Sequence, residues 1–139
     1  MEIRCIAKVT RASVEKSNPT YLSKVENLLH NHPHVLPTYV RNRMYERWIS
    51  EESVEEALRH ARLVDIQLMS NGDVRLLVRN MESGICVVTN PYTLRAITVY
   101  RNNLDDNHST MRLEEQRLYV TFQQFARRYK EMVEQRRSY

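Results

Sequence analysis

Glycine is almost missing from this chain, with two in 139 residues. Loops that cradle phosphates bring several backbone N–H groups against the ligand, and that approach needs glycines close together. Neither G-x-G-x-x-G nor G-x-x-x-x-G-K occurs, so neither common kind of nucleotide-binding enzyme is expected, and no cofactor. Cysteine is equally scarce. Cys5 and Cys86 form no C-x-x-C and no disulfide framework, which points to a reducing compartment. No window approaches the roughly 20 apolar residues that span a bilayer. The opening "MEIRCIAKVT" carries Glu2, Arg4 and Lys8 and lacks the apolar stretch of a secretory signal. A cytoplasmic protein with no membrane association is the expectation. Neither sign of charge dominates: the net charge is +4 and the pI about 9.2, which permits a polyanionic partner without demanding one.

What is present fits one domain over 1–139, with 42 % hydrophobic residues for a core and 27 % charged. Residues 2–9 alternate briefly, as a short strand does. "NPTYLSKVENLLH" reads as a helix with Pro19 in its first turn and Leu22, Val25, Leu28 and Leu29 on one face. Pro33 and Pro37 end it. A second helix is expected over 38–48, where Val40, Met44 and Trp48 recur at steps of four. Met44 and Trp48 should face the core, Arg43 flank it and Arg41 point to water. Ser50 is a good N-cap for a third helix, 51–61, with Glu51 and Glu52 at its positive end.

The period then changes from 3.6 to 2. "LVDIQLM", "DVRLLVR", "GICVVTN" and "YTLRAITVYR" are strand-like, with turn residues between them and both glycines, Gly72 and Gly84, at the turns. Short connections imply an antiparallel meander. Val64, Ile66, Leu68, Val74, Leu76 and Val78 should share a face, while Ile85 and Val87 oppose Cys86 and Val88, so the later strands need cover on both sides. Leu118, Phe122, Phe125, Tyr129 and Met132 then form a helical stripe within a long helix over 109–137. The fold class is therefore α+β: N-terminal helices, a four-stranded antiparallel sheet and a long C-terminal helix. That stripe serves as core, or as the seam of a homodimer.

"YVRNRMYERWISEESVEEALRHA", followed by a sheet ending in "RAITVYR", resembles a family of small bacterial domains of unknown function related to RelE- and barnase-like toxins. Their segment "H-A-x-x-R-M-x-E-R-G-I-S-x-E-E-V-x-x-A-L" is met here by Arg43, Met44, Glu46, Arg47, Ile49, Ser50, Glu52, Val54, Ala57 and Leu58. Ile97, Thr98, Val99 and Tyr100 match the closing strand. The likeness spans 38–102, a toxin-like core. It implies a RelE- or barnase-like fold and, in some members, metal-independent endoribonuclease activity. The pattern opens on a histidine, the natural acid–base for RNA cleavage near neutral pH. Tyr39 stands there in this chain, and His60 lies elsewhere as a weak catalytic candidate.

Candidate binding residues follow from charge and stacking chemistry. Arg43 and Arg47, four apart, can reach one phosphate or two neighbouring ones, or stand as the solvated rim of a helix with Arg47 pairing to Glu51 or Glu52. Arg75, Arg95 and Arg101 lie on strand-like runs, and Tyr100 can stack on a base. The helix pair also resembles a helix-turn-helix, but Glu51, Glu52, Glu55 and Glu56 would repel DNA phosphates. His30, His32 and His34 in "HNHPH" read as a polar loop rather than a metal site, because no further ligands follow. Two functions remain. One is a non-catalytic inhibitor, phage- or mobile-element-encoded, docking on a host or partner protein. The other is an RNA-binding, toxin-like endoribonuclease.

Overall fold

The computed structural model describes residues 3–102 and 119–137. In chain order these form β1 (Cys5–Thr10), α1 (Arg11–Ser17), α2 (Pro19–Asn31), α3 (Thr38–Glu46), α4 (Glu51–Arg59), β2 (Arg62–Met69), β3 (Val74–Arg79), β4 (Ile85–Thr89), β5 (Ala96–Arg101) and α5 (Phe122–Arg137). The architecture is α+β, as the patterning predicts. Side-chain caps set three helix starts. Thr10 accepts from the Ser13 N–H, Asn18 from Tyr21 and Ser50 from Ser53, at 3.0–3.2 Å.

The sheet has five strands in the order β1-β2-β3-β4-β5, every neighbour antiparallel. The expected meander of four is present as β2 to β5. The fifth strand is the N-terminal segment, which pairs with β2 through Lys8 opposite Gln67 and Val9 opposite Ile66. Its alternation is too brief to count it into the sheet, because the partner that makes it a strand lies beyond all the intervening helices. Gly84 has φ +75, and a Cβ there would stand 2.5 Å from the Asn102 carbonyl oxygen, so the β3–β4 turn needs glycine.

One hydrophobic cluster joins the helices to the sheet. Leu22, Val25 and Leu29 of α2, Val40 and Met44 of α3, and Val54, Ala57 and Leu58 of α4 pack on Val9, Ile66, Leu76 and Val87. A register shift between Leu63 and Asp65 puts Leu63 in this core and leaves Val64 half-buried, against the expectation from simple alternation. The opposite face is also buried where Asp65, Leu77 and Cys86 stand, so β2 to β4 are covered on both sides.

Both sheet edges carry added backbone pairing. The Val120 N–H donates to the Lys8 carbonyl at 2.8 Å along the outer edge of β1. Val35 accepts from Ala96 and donates to Leu94 along β5, at 2.9 and 2.8 Å. These contacts blunt edges that would otherwise template association. They also correct the C-terminal helix. Helical residues begin at Phe122, because 119–121 run extended beside β1, and the expected helical segment 109–118 lies outside the described residues. Phe125 is buried, and Phe122, Tyr129 and Met132 pack half-buried against the core. The Phe122 ring lies 5.1 Å from that of Tyr21. The stripe is thus used within the chain.

Candidate functional site

The corner between α3 and α4 departs most from its sequence pattern. Helix α3 stops at Glu46, with Arg47 as its C-cap. The Ile49 N–H then donates to the Met44 carbonyl at 2.9 Å, and the Trp48 N–H to Tyr45 at 3.2 Å. These two bonds make a Schellman stop, whose central residue must be left-handed. That residue is Trp48, with φ +58. The turn drops Ile49 into the core directly after Met44 and throws Trp48 outward. Trp48 is 90 % exposed, so the expectation that it faces the core is overturned, while Val40 and Met44 are buried as expected.

Trp48 does not stand alone. Tyr45, three residues earlier, is 85 % exposed. Arg41, four before Tyr45, lies 3.7 Å from Glu51 at the start of α4, both about half exposed. The surface therefore offers an indole, a phenol and a balanced ion pair. It holds no concentrated positive charge, since Glu46, Glu51 and Glu52 border it.

The remaining candidates do not converge on it. An Arg47 terminal guanidinium nitrogen donates to the Val99 carbonyl at 2.6 Å, fastening α3 to β5. Arg41, not Arg47, takes the carboxylate of Glu51. Arg43 is exposed on α3. Arg75, half-buried on β3 opposite Gln67, and Arg95, exposed before β5, lie at the end of the sheet that carries the β2–β3 and β4–β5 turns. Tyr100 and Arg101 lie at the other end. Tyr100 sits opposite Cys86, where burial pushes its phenol well above the ordinary range. His60 caps the end of α4 and faces Glu56 at 3.9 Å, with both side chains in solvent. An imidazole this exposed, beside an exposed carboxylate, is not held in one orientation for acid–base work.

Sequence reasoning missed two features. One is the exposure of Tyr45 and Trp48. The other is Asp65, 1 % exposed on the sheet face away from the helices. Its Oδ1 accepts from Gln67 Nε2 at 3.0 Å and its Oδ2 has no hydrogen-bond partner. Burial pushes its carboxyl up to about 6, against the opposing pull of the Gln67 hydrogen bond and the Lys8 charge. The histidines of "HNHPH" diverge: His30 Nε2 lies 2.7 Å from the Ala61 carbonyl and His32 Nδ1 3.2 Å from Leu28. Among the described residues no group of three or more His, Cys, Asp or Glu is placed to hold a metal ion. Among them, too, no helix is long and apolar enough to cross a membrane.

No family model, curated protein or solved structure matches this chain.

Proposed function

We propose that this protein is a non-catalytic docking protein, built on a scaffold of the RelE- and barnase-like kind, that binds a partner protein through the α3–α4 corner. The observation that carries this reading is Trp48, 90 % exposed at φ +58. A left-handed non-glycine residue costs roughly 1–2 kcal/mol. Glycine would serve the turn without that cost, and a polar residue would spare the exposed apolar surface. Trp48 bears both costs, which a bound state that buries the indole would offset. Trp, Tyr and Arg are the residue types that dominate protein interfaces. The balanced charge around the corner favours a protein over a polyanion. The partner must offer an apolar pocket for the indole and polar groups for Tyr45 and the Arg41–Glu51 pair. Such a role suits a small inhibitor carried by a phage or mobile element. Cys5 and Cys86, which form no disulfide, suit a cytoplasmic setting.

The alternative is RNA binding, with Trp48 and Tyr45 stacking on bases and Arg43 on a phosphate. Titration of the purified chain with labelled single-stranded RNA over a range of salt separates the two. Docking on protein predicts weak RNA affinity that Arg43→Ala and Trp48→Gly leave unchanged. Tight binding whose salt dependence flattens in Arg43→Ala would reverse the conclusion.

A further inference from the structure

A cavity of about 300 Å³ opens between the end of α2, the 32–36 segment and α4, and none of its lining residues belongs to the Trp48 surface. Leu29, Val54 and Leu58 form its inner wall, each at most 5 % exposed, with Leu36 half-buried beside them. The volume is at the lower end of sites that hold small organic ligands, with room for one ring system and a short chain.

The charged groups that line it are unequal. Arg59 is taken by Glu56 at 2.8 Å. Glu55, one turn before Arg59, is exposed, and it has no ion-pair or hydrogen-bond partner among the described residues. Its own helix reinforces its sign, because α4 carries Glu51, Glu52, Glu55 and Glu56 against Arg59. The opposite wall spends its polar groups on the backbone. His30 Nε2 and His32 Nδ1 donate to the carbonyls of Ala61 and Leu28 at 2.7 and 3.2 Å, and Asn31 Nδ2 donates to that of Asn27 at 2.8 Å. His34 Nε2 is closed to solvent and meets no ligand. The cavity thus joins an apolar inner wall to one open carboxylate, in a negative local field.

We propose that this cavity binds a small amphipathic amine, an aromatic body of one ring system bearing a single ammonium, with the ring on Leu29, Val54 and Leu58 and the ammonium on Glu55. An anion is repelled by Glu55 and finds Arg59 already paired. A neutral apolar ligand fills the same wall but leaves the carboxylate unused. An exposed ion pair contributes modestly, so the ring supplies most of the affinity and the charge sets the preference.

Tryptamine, 3-ethylindole and indole-3-acetate are suitable probes, because they share one ring system and carry a positive charge, none and a negative charge. The full chain is titrated with each at pH 7.5 in dilute buffer and followed by amide NMR. Tryptamine should shift Leu29, Val54 and Leu58 saturably. It should bind about fivefold more tightly than 3-ethylindole, the upper range for an exposed ion pair, and indole-3-acetate should bind most weakly. Glu55→Gln should leave 3-ethylindole unaffected and bring tryptamine down to it. If that variant does not fold, salt gives the control on the unaltered chain: the preference for tryptamine should shrink as salt is raised. Equal affinity for tryptamine and 3-ethylindole, a preference that Glu55→Gln or high salt leaves intact, shifts mapping elsewhere, or no binding of any probe would overturn the proposal.

Discussion

Trp48 and Asp65 show how single residues set the character of this molecule. Trp48 continues the stripe of Val40 and Met44, so its orientation was illegible from spacing alone. What decides it is the left-handed stop after Arg47, a backbone conformation that glycine adopts without strain. Trp48→Gly should therefore leave the fold intact and stabilise it by up to about 1 kcal/mol, the relieved strain being partly offset by a freer unfolded chain. Urea titration of both forms checks it, and a loss of 1 kcal/mol or more would mean that the indole packs on the domain. The burial of Asp65 is not legible in its strand, because alternation does not reveal that a second face is buried. Its carboxyl titrates near 6 when folded, against an ordinary 3.8. The folded state thus holds this proton more tightly, and the resulting stability is complete below about 3.8 and lost as pH rises to about 6. The gap is worth about 3 kcal/mol. Asp65→Asn should remove that slope and make the protein more stable at pH 7 than the parent. Thermal melts between pH 4 and 7 measure it, and parallel profiles for the two forms would contradict the assignment.

At the scale of elements, what was legible depended on how local the forces are. Helices α2 and α4 carry their own caps and amphipathic stripes, and β2 to β5 carry alternation bounded by turn residues, so all six could be read directly. Strand β1 shows only a brief alternation, which marks a short strand but not its partner across the whole helical layer. The extended 119–121 segment depends on the edge of β1, and no local period marks it. Helix α1 is a short element started by the Thr10 cap and had no stripe long enough to notice. Helix α5 was anticipated as a packed stripe, and its energetic weight should sit on one residue. Phe125 is 5 % exposed, whereas Phe122 and Tyr129 are half-buried. Phe125→Ala should cost about 3–5 kcal/mol, because it opens a cavity in the core. Equilibrium denaturation at two protein concentrations tests this. A change within about 0.5 kcal/mol, or a loss that grows on dilution, would place the stripe on a surface or in a dimer seam instead.

For the whole molecule, a single core spans every layer, and the described sheet edges are blunted by the 119–120 and Val35 contacts. Trp48 and Tyr45 are the molecule's most exposed large apolar side chains among the described residues, and Asp65 Oδ2 is a buried acceptor without a hydrogen-bond partner. The candidate arginines were legible as charges, but not as a site, because the sheet distributes Arg75, Arg95 and Arg101 to opposite ends and spends Arg47 on Val99. The central claim is that Trp48 anchors a protein partner. It is tested by capturing partners from nuclease-treated bacterial lysate on the parent chain and on Trp48→Gly, after melting curves show both are folded. The account predicts a defined protein complex that survives nuclease, forms with the parent and is lost with the variant despite equal or higher stability. Capture that disappears with nuclease, or that Trp48→Gly retains undiminished, would contradict it.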